Sequence, residues 1–190
     1  MADQDLEKSK IEELDPAKII EEMREEYWKG IAQAEDETEQ QRVQLLVAEV
    51  AGEKFAMDAV LCRTITKFGY VTRVPRTPAF MLGVINLRGQ IIPVIDLAAL
   101  FRLPAGNQRQ LKPRLVVVEV EGSRTAFLAD RIEGIDFIDL SRVRESETIS
   151  SPVKAEYIKG HVAPREDEGW MTYLDVVKII EGPELSFGRK

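Results

Sequence analysis

The sequence predicts a mainly β protein made of two small barrels side by side, and three observations carry that expectation. Short apolar runs bounded by turn residues recur through residues 43–182, little there has helical periodicity, and the pattern repeats at an offset of 70 positions. LLVAEVAGEKFAMDAVLCRTI (Leu45–Ile65) aligns with LVVVEVEGSRTAFLADRIEGI (Leu115–Ile135), with eight of 21 positions identical. Small barrels suit such short strands because they leave few open edges. The expected division is a helical extension and linker over 1–42, a body over 43–182 with lobes at about 44–110 and 111–182, and a tail over 183–190.

The extension opens with Leu14, Asp15 and Pro16, which read as N′, N-cap and first helical residue, and Leu14 can staple onto Ile19. Ile20, Met23, Tyr27, Ile31 and Ala34 then recur at helical spacing as one narrow apolar stripe, either packed on the body or free for a partner or a second copy. Residues 35–42 read as a polar linker. In the body each copy of the repeat is a strand, a turn at Gly52 or Gly122, and a second strand. LLVAEV and RLVVVEV are apolar at nearly every position, so both faces of these strands should be covered, in a barrel interior or in the seam between lobes.

Later in each half a strand led by Gly83 or Gly160 precedes a strand ending at Asp96 or Asp175 and a short apolar helix. In the first half Val84–Leu87, a turn at Arg88-Gly89 and Ile91–Ile95 make a hairpin. Pro93 lacks a ladder donor, which predicts an edge strand or a bulge. Asp96 stands as N-cap of a helix over Leu97–Phe101, residues 104–113 read as the connector between halves, and 165–169 as a solvated loop.

Composition narrows the function. The formal charge of −7 argues against nucleic-acid binding, but it is unevenly placed. Residues 1–40 hold 14 of the 33 acidic and 5 of the 26 basic side chains, a net of −9, which leaves 41–190 at +2, ordinary for a protein that meets other proteins. Cys62 is the only cysteine, so no intrachain disulfide forms. The acidic N-terminus is unlike a signal peptide and no apolar run approaches the ~18–20 residues of a membrane span, so the expected location is the cytoplasm, without membrane insertion. No phosphate-cradling, dinucleotide, zinc-protease or nucleophile-elbow motif occurs, so no cofactor, metal site or catalytic group is expected. The remaining raw material for an enzyme is Cys62 and His161, each more simply a core residue.

AFMLGVINLRGQIIPVIDLAALF (Ala79–Phe101) resembles the signature of the CheW family, the coupling proteins of bacterial chemotaxis arrays, in which a G-hydrophobic-x-N-L-R-G turn leads into a P-V-hydrophobic-D-L strand. The resemblance implies two five-stranded SH3-like barrels related by a pseudo-twofold. It also implies a non-enzymatic scaffold bridging the cytoplasmic tip of a chemoreceptor to the regulatory domain of a CheA-type histidine kinase. Receptor contacts would come from Arg88 and Asn86 at the turn and from Val60, Cys62, Thr64 and Ile65, along the groove between lobes. Kinase contacts would come from Val71, Thr72, Arg73 and Val74, where Tyr70–Pro75 resembles the family's V-T-x-[IV]-P segment. For Asn86, Gly83, Gly89 and Asp96 turn and cap geometry is the simpler explanation; Arg88, with its rigid fork of donors, suits a carboxylate-rich partner. Val71 and Val74 could equally be barrel packing.

Two positions depart from the family. Thr64 stands where a glutamate is common, and Arg131 where a glycine is usual, so its side chain would crowd a tight turn. The rival readings are a kinase-binding module in a system without receptors and a small hydrolase using Cys62 and His161.

Overall fold

The computed structural model describes residues 42–104, 112–144, 151–163 and 169–185. The expected N-terminal helix, most of the 104–113 connector and nearly all of the 165–169 loop lie outside them. The strands are β1 (Arg42–Val50), β2 (Glu53–Asp58), β3 (Cys62–Lys67), β4 (Met81–Leu87) and β5 (Gln90–Asp96), followed by helix α1 (Leu97–Leu100). After the connector come β6 (Arg114–Val120), β7 (Ser123–Ala129), β8 (Arg131–Asp139), β9 (Ile158–Val162), β10 (Met171–Leu174) and helix α2 (Val176–Glu181). The repeat therefore runs through the whole body, with β1–β5 and α1 recurring as β6–β10 and α2. Asp96 and Asp175 cap the two helices alike, accepting from Ala99 N at 3.2 Å and Lys178 N at 3.1 Å.

Two five-stranded sheets form, in the orders β8-β1-β2-β10-β9 and β3-β6-β7-β5-β4. Exchanging the two halves of the chain turns one order into the other, so the pseudo-twofold holds. The sheets are nevertheless not the lobes expected at 44–110 and 111–182, because each takes strands from both halves. The break falls between β2 and β3, where the turn Ala59–Leu61 carries the chain from one sheet to the other, and again between β7 and β8 at Asp130. A linear repeat fixes strand order along the chain but not which sheet receives the third strand. That strand pairs with the other half's first strand, β3 with β6 and β8 with β1, which covers both open edges.

The cores explain the doubly apolar strands. Leu45 and Val47 on β1 face a cluster inside their own sheet with Ala56, Ile138, Val162, Met171 and Tyr173. The alternate residues Leu46, Ala48 and Val50 face a larger cluster shared with Phe55, Val116, Val118 and Phe127. β6 alternates in the same way, Leu115 and Val117 lining the second sheet's interior with Ile92, Val94 and Ala126. One face thus fills a barrel and the other fills the seam.

Two expectations need correction. β5 is not an edge strand, since it lies between β7 and β4; Pro93 is tolerated because it faces Val84 on β4 and the parallel pairing to β7 starts only at Val94. Nor does the body stop at residue 182. Glu184 bonds Lys154 and the Tyr157 hydroxyl, and Leu185 packs on the seam core.

Gly83 has no room for a side chain: a Cβ there would fall on the Thr72 carbonyl, and its φ is +141°. A Cβ on Gly89, at φ +84° in the hairpin turn, would meet none of the described residues within 4 Å. Gly83→Ala is expected to cost about 3 kcal/mol or more and Gly89→Ala about 1 kcal/mol, read as shifts of the urea midpoint. A second expectation concerns His161, the sole histidine, which is 1% exposed. Its Nε2 has no hydrogen-bond partner among the described residues and burial lowers its pKa from 6.5. Because the folded value is depressed, stability is full above about pH 6.5 and declines as pH falls from there to the folded value, where only the unfolded state takes up the proton. The urea midpoint should drop between about pH 7.5 and 5.5, before ordinary carboxylates titrate, and His161→Leu should remove that drop.

Candidate functional site

The β4–β5 hairpin, the edge strand β3 with the turn ahead of it, and the segment before β4 hold the residues expected to contact receptor or kinase. Arg88 and Gly89, at φ 52° and 84°, form a two-residue turn of the kind that matches strand twist. Asn86 Oδ1 accepts from Gly89 N–H at 2.9 Å, so this side chain closes the turn. Arg88 is left exposed at the tip, held in a left-handed backbone that its side chain does not favour.

β3 carries the apolar part. Its pairing to β6 has a bulge, with Cys62 opposite Val118, Thr64 opposite Val117 and Ile65 opposite Val116. A regular strand would put residues 62 and 65 on opposite faces; the extra residue, Arg63, puts both on the face of Val116 and Val118, which is the seam. Ile65 is 44% exposed there and Val60, on the turn before β3, is 78% exposed. Cys62 is half-buried against the seam core, its Sγ donating to the Asp58 carbonyl at 3.4 Å. Burial first, and Asp58 second, push its thiol pKa up to about 12. Thr64 is exposed.

The repeat gives β8 the same construction, and this part of the surface was missed in the sequence. Its pairing to β1 is bulged at Val47/Ala48, and Ile132 lies opposite Ala48, Ile135 opposite Leu46 and Phe137 opposite Gln44. Ile132 packs on the seam core, while Ile135 and Phe137 are 53% and 67% exposed on that same face. The signal was available, because Ile135 aligns with Ile65 at the repeat offset. Two strips of exposed apolar side chains therefore flank the seam, one on each edge strand.

A polar ladder ties β3 to the hairpin at the end of the sheet's inner face, where Glu119, Arg124 and Gln90 continue the alternation of Val117, Ala126 and Ile92. Arg63 lies 3.5 Å from Glu119, Arg124 Nε donates to Glu119 at 2.7 Å, and Arg124 also donates to Gln90, beside the Arg88-Gly89 turn. The Arg124 hydrogen bond is the main reason the Glu119 carboxyl titrates below its usual range.

Val71 to Val74 do not form a strand. Thr72 makes a single bridge to Val84, its N–H and C=O bonded at 2.9 and 2.8 Å, so the segment lies along the outer edge of β4. Val71 packs against the sheet interior. Thr72, Arg73 and Val74 remain exposed, and the Val74 carbonyl accepts from Thr77 Oγ1 at 2.9 Å. Arg131 crowds no turn: it opens β8 and reaches Glu133 at 2.8 Å and Glu49 at 3.4 Å.

Cys62 and His161 do not look like a nucleophile and its base. A thiol titrating near 12 is protonated at neutral pH, and His161 is buried with Nδ1 3.5 Å from Thr172 Oγ1.

Residues 44–184 match the CheW-like domain family. The chain is similar to a chemotaxis protein CheW from Helicobacter pylori, 32% identical over 152 residues that cover 79% of this chain and 88% of the relative. It is also similar to one from Treponema pallidum, 28% identical over 148 residues, covering 76% and 86%. Among solved structures it resembles the scaffolding protein TtCheW from Thermoanaerobacter tengcongensis, with a TM-score of 0.66, 24% identity, and 75% and 90% of the two chains covered.

Proposed function

The chain belongs to the CheW-like family of chemotaxis coupling proteins, and from that premise we propose that its seam-flanking strips and Arg88 receive a chemoreceptor tip while the Thr72–Val74 edge meets a CheA-type kinase. The observation that carries this reading is the pair of bulged edge strands, which expose Val60 and Ile65 on one side of the seam and Ile135 and Phe137 on the other. A helical hairpin has apolar stripes of its own to bury and carboxylates at its rim, and Arg88 supplies a fork of donors for the latter. Thr64 leaves this surface one carboxylate short of the family pattern, which favours a receptor with fewer basic groups at that point.

The kinase contact rests on position and exposure: Thr72, Arg73 and Val74 lie beyond the last strand of their sheet, where a second barrel could extend the contact. Val71 drops out of it, being used for packing. The role is scaffolding, and the titration and burial of Cys62 and His161 count against the hydrolase alternative. Among the described residues no helix is long and apolar enough to cross a membrane, and a cytoplasmic location fits both proposed partners.

The test is a binding assay with a receptor-tip fragment and a kinase regulatory domain. Binding to neither overturns the reading, and binding to the kinase domain alone favours a module from a receptor-independent system. Arg88→Gly is the informative variant, because it deletes the guanidinium while relieving a left-handed backbone. Its melting temperature should hold or rise slightly, whereas receptor affinity should fall by about 1.5–3 kcal/mol, the usual loss for a charge-assisted pair. Phe137→Ser should likewise weaken receptor binding, leaving kinase affinity and the melt unchanged.

A further inference from the structure

The two crossovers between sheets are the places where the pseudo-twofold breaks. From β7 to β8 the chain crosses in one residue, Asp130, whose carboxylate accepts from Ala51 N–H at 2.7 Å and whose N–H donates to the Glu49 carbonyl at 2.9 Å. From β2 to β3 it crosses in a 3-10 turn, Ala59–Leu61, that lifts Val60 clear of the surface. The aspartate ahead of that turn, Asp58, has the place of an N-cap but makes no capping bond. Its carboxylate is instead drawn sideways over β10 and β9, the next two strands of the sheet. Oδ1 accepts from the Tyr173 hydroxyl on β10 at 2.6 Å, and Oδ2 takes the Lys159 ammonium on β9 at 2.6 Å. Lys159 also lies 5.1 Å from the centre of the Tyr173 ring, so the three side chains brace one another. The Asp58 carbonyl, in turn, accepts the Cys62 thiol.

We propose that Asp58, Tyr173 and Lys159 form a clamp that fixes the pose of the Ala59–Leu61 crossover, making Asp58 a positioning residue for the Val60 and Cys62 contact with a helical partner. A three-residue turn joining two sheets has few bonds of its own, and Asp58 forgoes the local cap that would otherwise order it. Holding its first residue to two strands of one sheet, and its end through Cys62 to that same residue, leaves the turn a single arrangement. The partner then meets a preformed contact without the cost of ordering it. The receptor half of this inference rests on the function proposed above; the clamp itself does not.

Cys62 gives a reading that needs no partner. As the only thiol in the chain it can be alkylated selectively, and burial first, with the Asp58 charge second, pushes its pKa up to about 12 and keeps the reactive thiolate scarce. With full-length protein and iodoacetamide at about pH 8, Tyr173→Phe, which loosens the clamp but leaves the Asp58 charge in place, should speed alkylation by about tenfold, as a freed thiol titrates near 8.5. Glu184→Gln serves as the control: it loosens the C-terminal contact with Tyr157 and Lys154 and should lower the melt without changing the alkylation rate. Receptor-fragment affinity should fall about fivefold in Tyr173→Phe at unchanged kinase affinity. An alkylation rate unchanged in Tyr173→Phe, or raised equally by Glu184→Gln, overturns the clamp. If wild type binds no receptor fragment, the receptor reading fails and the alkylation rates still decide the clamp.

Discussion

The seam between the two sheets is the constraint on which the rest of the structure depends. It holds the largest apolar cluster among the described residues, and β1 and β6 reach it with every second side chain while their other faces fill the barrels. Each fully buried Val, Leu or Phe there contributes on the order of 1.5–3 kcal/mol. The same burial dictates that β3 and β8, last strands on their edges, lie with one face along the seam. Their bulges then decide which side chains appear on that face, and the exposed surface proposed for a partner is a continuation of the core.

Most of the fold was legible because strand periodicity and the 70-residue repeat are local properties of the chain. Leu45 and Leu115, and Gly52 and Gly122, occupy equivalent places as the alignment required, and the capping pair Asp96 and Asp175 does so as the repeated order of elements required. The allocation of strands to sheets was not legible, since nothing in the pattern of Cys62–Lys67 says whether it continues with β2 or joins β6. Pro93 misled for a related reason: the rule that places proline at edges concerns the hydrogen bonds of one residue, and β5 gains its second neighbour one residue later. Where the chain bends from one sheet to another, local rules stop applying.

The candidate site was half legible. Arg88 and Asn86 stood out because turn chemistry and a family signature coincide there, and the structure gives Asn86 to the turn and leaves Arg88 at its tip. Ile65 was found through the family pattern and its counterpart Ile135 was not, although the repeat pointed to it. Bulges hide this kind of pair, because they move side chains across a strand by one residue without leaving a composition signal. Glu119 and Arg124 were invisible for another reason. They lie on adjacent strands and their ladder to Arg63 and Gln90 exists only after the sheet has formed.

The exchange of β3 and β8 bears on how the chain can be made. β1 needs β8 beside it, with Val43 paired to Ile138 about 95 residues further along, and β6 needs β3 from the half already synthesised. The β3-β6-β7-β5-β4 sheet has all its strands by Ala129, well past the first half of the body, and the other waits for β10 at Leu174, so the repeat is not a pair of modules that fold in turn. The duplicated unit has become inseparable from its copy, and the long loops that must close to bring β3 to β6 and β8 to β1 slow the assembly.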